Sequence, residues 1–171
     1  MRLVCKKILL LLLLSLFSTD LFAVSETQIK AVFLEKFTHL IEWPEETETS
    51  FVVCVLNDEA FADALEEIYQ VKTFKNRQVK VLNINKKEDI KECQLLFIGK
   101  ETSQINKVLK HIEGKPILTV SDDKENVPED VMITMFLNKS RFKYIINNKA
   151  AQDVNVKISH LLLRSAQEVI K

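Results

Sequence analysis

Two short runs, Phe51 to Leu56 (FVVCVL) and Gln94 to Ile98 (QLLFI), are almost wholly apolar, and turn residues end both, Asn57-Asp58 and Gly99. A strand that is apolar at successive positions must be covered on both faces, which is the situation inside a parallel sheet flanked by helices. The segments around these runs fit that demand. Ile29, Val32, Phe33, Phe37, Leu40 and Ile41 recur at helical spacing, with Lys30, Glu35, Lys36 and Glu42 mostly on the other side. Ser25 or Thr27 can cap this helix, Glu26 sits in its first turn, and Pro44 disfavours helical geometry at Trp43 and closes it. A polar linker, Glu45 to Ser50, follows. Asp58 to Tyr69 reads as a second helix, with Phe61, Leu65 and Ile68 on one face.

Further along, Gln78 to Ile84 alternates partially as a strand, and Lys86 to Glu92 is a charged turn with one turn of helix. Ser103 to Ile112 is expected to be helical and to stop at Gly114, and Pro116 to Val120 is the next strand. Val131 to Leu137 and Arg141 to Ile146 flank Asn138-Lys139-Ser140, an antiparallel hairpin with Asn138 in the left-handed position. A helical stretch from Lys149, relaxed near Asn155, is expected to run through Val169. The expected class is α/β: a single domain whose mixed, mostly parallel sheet carries helices on both faces and a C-terminal antiparallel hairpin.

The N-terminus reads differently. Arg2, Lys6 and Lys7 precede an apolar run, Ile8 to Phe17, that is too short for a comfortable span, and Ala23 and Ser25 offer small residues for cleavage. Residues 1–23 are therefore expected to be a secretory signal peptide cut after Ala23, with cleavage after Ser25 as the alternative, and 24–171 to be the domain. An uncleaved anchor is the rival reading. Cys5 leaves with the peptide. The remaining chain holds 21 basic and 23 acidic residues, a balance that steers it toward neither nucleic acid nor anionic lipid.

Cys54 and Cys93 survive processing into an oxidising compartment and read as a disulfide, with two separately buried thiols as the alternative. Only 2 glycines occur in the chain, which excludes Gly-rich phosphate loops. His39, His111 and His160 are too dispersed to preset a metal site. Ser121-Asp122-Asp123 follows a strand, where open α/β sheets place ligands. It could hold a cation or a hydroxylated ligand, although a solvated turn explains it more simply. With no nucleophile elbow and no Cys/His pairing, the chain is not expected to be an enzyme, and no cofactor or metal is called for. Trp43, the sole tryptophan, reads as a core plug before an exposed anchor, and Phe33 and Phe37 likewise as core.

KAVFLEKFTHLIEWPE (Lys30 to Glu45) resembles the helix-then-Trp-Pro signature of the YfiR-like family of exported bacterial proteins. The similarity continues through CVLND (Cys54 to Asp58), ECQLLFIG (Glu92 to Gly99), PILTVSD (Pro116 to Asp122) and the closing segment Phe142 to Val169, including Asn147, Ala150, Ala151, Ser159 and Leu161-Leu162. The chain departs from the pattern at Pro128-Glu129-Asp130, where relatives often carry glycines. A second disulfide, present in some relatives, has no cysteines to form it. The resemblance implies a periplasmic, non-catalytic regulator that binds the periplasmic part of an inner-membrane diguanylate cyclase and holds it inactive, so tuning cyclic di-GMP and biofilm formation. It implies structural or partner-contact roles for Phe33, Phe37, Trp43, Pro44 and Asn147. The partner is then a membrane signalling protein rather than nucleic acid, with no span after processing, and a homo-oligomer is left open. A periplasmic small-molecule sensor or carrier, using a cleft at the strand ends, is the alternative function.

Overall fold

The computed structural model describes residues 24–44, 49–126, 128, 130–139 and 141–171. The expected signal peptide, residues 45–48 of the linker, Glu129 of the departing loop and Ser140 of the hairpin turn lie outside the described residues.

The apolar runs become the centre of the sheet. Strand β2 (Ser50–Leu56) pairs in parallel with β4 (Leu95–Ile98), and β4 with β5 (Leu118–Ser121); all three are buried apart from the half-buried Ser50. Strand β3 (Gln78–Ile84) lies parallel on the outer side of β2, and its half-exposed pattern is that of an edge. On the other flank β6 (Ile133–Asn138) joins β5 in parallel, β7 (Arg141–Asn147) returns antiparallel, and β9 (Glu168–Ile170) adds parallel to β7. The order β3-β2-β4-β5-β6-β7-β9 begins with the 2-1-3-4-5 winding of doubly wound sheets, which bind ligands outside the strands' carboxyl ends.

Side chains alternate across the pleat into two cores. Phe51, Val53 and Val55 of β2 face α1 (Glu26–Thr38) and α2 (Glu59–Tyr69), packing with Leu34, Phe37, Phe61 and Leu65. Val52, Cys54 and Leu56 face the opposite way, toward the 3-10 turn Lys87–Glu92 and α3 (Ile105–His111), packing with Ile90, Val108 and Leu109. Each such side chain contributes about 1.5–3 kcal/mol through burial, so a register slip that swapped the faces of β2 would forfeit both cores. Gly114, at φ 75°, follows α3 in the left-handed geometry expected of a helix stop.

Three local expectations are corrected. The first helix begins at a capping box, with the Gln28 N–H donating to Ser25 Oγ and the Ser25 N–H to Gln28 Oε1, but it ends at Thr38 rather than at Trp43. Ile41 and Glu42 form β1 (Ile41–Glu42) instead, pairing antiparallel with β8 (Lys157–Ile158). The phase of that helix also differs: Ala31 and Leu34 are buried, Val32 is 40% exposed, and Lys30 and Glu35 turn inward. Burial of those two charges is compensated by distant partners, Asp122 for Lys30 and Lys72 for Glu35.

The second correction is at the C-terminus. The expected helical stretch breaks into α4 (Asn148–Asp153), β8, α5 (His160–Ser165) and β9. Two caps divide it, since Asn147 Oδ1 accepts from the Ala150 N–H and Ser159 Oγ from the Leu162 N–H, while Asn155 takes a left-handed φ of 60° at the expected point of relaxation. The third is the hairpin, where Lys139 at φ 48°, not Asn138, adopts the left-handed position. Asn138 stays in register opposite Arg141.

Candidate functional site

The residues singled out in the sequence fall at separate places in the fold. Cys54, in the middle of β2, is disulfide-bonded to Cys93, which caps the 3-10 turn before β4; their Cα atoms are 5.8 Å apart and both residues are buried. The neighbouring Gln94 is a junction that sequence reasoning missed. Its Oε1 accepts from the Val52 N–H at 2.6 Å, and its carbonyl accepts from the Leu118 N–H and from Trp43 Nε1 at 2.9 Å. One residue thus ties β2, β5 and the Trp-Pro turn together. Only its place beside a strand-opening cysteine could have signalled this.

Trp43 is buried, packed edge-on against Phe51 and Phe74 with ring centroids 5.0 and 5.7 Å away, so the core reading holds. Phe37 is also buried and meets Tyr144 at 4.7 Å. Phe33 is only half-buried and stacks face to face on Phe142, centroids 3.8 Å apart. Pro44 is exposed. Asn147 caps α4 and lies on a groove of about 880 Å³ between α3 and α4, floored by Leu109, Ile112, Ile117 and Met132. These five residues do not converge on one site.

What does converge is charge at the carboxyl ends of the strands. Lys30, from α1, reaches over β5: its Nζ lies 2.9 Å from Asp122 Oδ2 and 2.6 Å from Glu26 Oε1, and the Lys30 and Asp122 side chains are each only 9% exposed. Burial opposes the Lys30 charge, but its hydrogen bonds and the two carboxylates outweigh that and hold its pKa above the ordinary value. Asp58, which caps α2 by accepting from the Phe61 N–H, is pushed up by burial and by the neighbouring Asp122 charge. Lys100, at the end of β4, counters both Asp58 and Asp123.

Asp122 and Asp123, read together in the sequence as a solvated turn or a ligand pair, part company here. Asp123 is spent on the turn: burial opposes its charge, but it accepts from the backbone N–H groups of Glu125 and Asn126 and from Asn126 Nδ2, and these bonds together with the Lys100 charge outweigh burial and lower its pKa. Asp122 is one half of an ion pair whose two side chains are both largely covered, and the simpler reading of it as a solvated turn residue does not hold. Its Oδ1 has no hydrogen-bond partner among the described residues.

Between the carboxyl ends of β2 and β4, where the strand order reverses, the sheet is closed. The Gly99 N–H donates to the Leu56 carbonyl at 2.9 Å, Asn57 Nδ2 reaches Thr102 Oγ1, and a Cβ on Gly99 would stand 2.8 Å from the Asn57 carbonyl oxygen. The opening lies one strand over, a cleft of about 440 Å³ lined by Lys30, Lys100, Asp122, Lys124, Asn126 and Leu137, among others. Among the described residues no group of three or more His, Cys, Asp or Glu side chains is arranged to hold a metal, and no helix is long and apolar enough to cross a membrane.

Residues 27–167 match the model of a family described as YfiR/HmsC-like. Two solved structures share the fold. One is the ABC domain in complex with L-Trp from Streptococcus pneumonia, at TM-score 0.56 and 11% identity over 84% of this chain. The other is a conserved domain protein from Vibrio cholerae O1 biovar eltor str. N16961, at TM-score 0.55 and 12% identity over 85% of this chain. The chain spans 60% of the length of each. No curated protein matches the sequence significantly.

Proposed function

The chain belongs to the YfiR/HmsC-like family, and from that membership we propose that it is an exported, non-catalytic regulator that binds the periplasmic part of an inner-membrane signalling enzyme. A diguanylate cyclase held inactive by this contact is the partner we favour. The carrying observation is the family match over residues 27–167, which takes in nearly every element of the sheet and its helices.

Residues 1–23 act in this reading as a cleaved signal peptide, because a basic start, a short apolar run and Ala23 meet the requirements of export. The mature domain, from residue 24, works in the periplasm, where the Cys54–Cys93 bond is stable. Among the signature residues, Trp43 and Phe37 serve the core. Phe33 is half-buried on Phe142 beside the exposed Val32, and Pro44 is exposed; this exposure is why partner contact is assigned to these two. Deleting the gene should raise cellular cyclic di-GMP and biofilm. Unchanged levels of both under several envelope conditions would count against repression of a cyclase.

A further inference from the structure

The strand-end cleft is more than a salt-bridged corner. Nζ of Lys30 carries three N–H donors, of which Glu26 Oε1 and Asp122 Oδ2 take two, and no further partner is present among the described residues. Asp122 Oδ1 is an acceptor with no hydrogen-bond partner among the described residues, on a side chain more than nine-tenths buried. One ion pair therefore holds a spare donor and a spare acceptor together at the carboxyl ends of the strands, one strand over from the closed point where the strand order reverses. From this we infer that the cleft is a binding site for a small polyhydroxylated molecule, a sugar or cyclitol, whose adjacent hydroxyls engage Lys30 and Asp122.

The chemistry favours hydroxyls over ions. Lys30, Lys100 and Lys124 line the cleft with five acids, Glu26, Glu101, Asp122, Asp123 and Glu125, but Lys30 already engages Glu26 and Asp122, Asp123 is taken up by its own turn, and among the described residues no three carboxylates are arranged to hold a metal. A hydroxyl is both donor and acceptor and satisfies the two open positions without adding charge. Half-buried Leu137 supplies an apolar edge for the C–H face of a ring, beside buried Phe136, over whose ring Lys124 lies at 4.5 Å from the centroid. Because Asp122 Oδ1 is covered, side chains around the cleft must shift for a ligand to reach it. The inference goes beyond the partner-binding reading and does not depend on it.

The test is titration of the isotope-labelled exported protein with D-glucose, D-galactose, D-mannose and myo-inositol, followed by backbone amide shifts. Glycine and magnesium chloride serve as zwitterionic and cationic comparisons. At least one polyol should shift the amides of Gly99 to Glu101 and Asp122 to Asn126 in a saturable way, and Asp122→Leu should weaken that binding about tenfold or more, as loss of a hydrogen bond to a charged group does. If Asp122→Leu does not fold, the shift map on the native protein decides. No saturable response to any polyol, shifts centred elsewhere, or a response to glycine or magnesium alone overturns the inference.

Discussion

Trp43 Nε1 donates to the carbonyl of Gln94 at 2.9 Å, so the indole that ends the family signature is bonded to the residue immediately after the disulfide. The family's two sequence marks, Trp-Pro and Cys-x-x-Leu-Phe, are one structural unit around β2. Trp43→Phe keeps much of the ring packing against Phe51 and Phe74 but loses this bond, and should cost about 1–3 kcal/mol in urea unfolding. A loss below about 0.5 kcal/mol would show that the bond contributes little.

The disulfide closes a segment with a sequence separation of 39, which in the chain-entropy model is worth about 4 kcal/mol. Reduction, or the Cys54→Ala/Cys93→Ala pair, should lower stability by roughly that amount, less any native strain relieved. Non-reducing peptide mapping of exported protein should show the two cysteines linked; two alkylatable thiols would remove this contribution from the account.

Lys30→Met leaves Asp122 buried without its cation and should destabilise by about 3–5 kcal/mol. Adding Asp122→Leu to that variant removes the stranded charge and should restore most of the loss. A double variant no more stable than Lys30→Met would contradict the buried-pair assignment.

Tyr69 is buried, and burial, assisted by the Glu35 charge, pushes its pKa from 10.0 up to about 12. A raised pKa means the folded state holds the proton more tightly. Its contribution is therefore fully present below pH 10 and is lost as pH rises through about 12, and the raised pKa of Lys30 acts in the same direction. The Tyr69 hydroxyl lies near the Thr38 side chain, which partly offsets the rise, but makes no hydrogen bond of good geometry among the described residues, so Tyr69→Phe should change stability by no more than about 1 kcal/mol at neutral pH. It should also flatten part of the alkaline decline. Unfolding midpoints against pH for both proteins decide this.

Gly99→Ala would force a Cβ within 2.8 Å of the Asn57 carbonyl oxygen and 2.9 Å of Asp58 Cβ. It should cost about 1–3 kcal/mol, measured by thermal or urea unfolding. A neutral result would mean the loops after β2 and β4 can separate.

The central strands were legible because Phe51 to Leu56 and Leu95 to Ile98 are apolar on both faces, which few alternatives permit. The phase of α1 was not, because Ile29, Ala31, Val32, Phe33, Leu34 and Phe37 place apolar groups around most of its circumference. What fixes it is Asp122, 92 residues from Lys30. The same distance hid the site: Asp122 could be picked out at a strand end, but not the lysine that buries it. Strand β9 escaped notice because pairing with β7 is a long-range choice, whereas Val169 also fits a helical pattern.

Association of the exported chain with a membrane signalling protein can be observed directly. Affinity-tagged exported protein should be recovered from detergent-solubilised envelopes and its companions identified by mass spectrometry, alongside a Phe33→Glu variant. An inner-membrane diguanylate cyclase should co-purify with the native chain and be depleted with the variant. Recovery of the native chain with no inner-membrane signalling protein would contradict the proposed association.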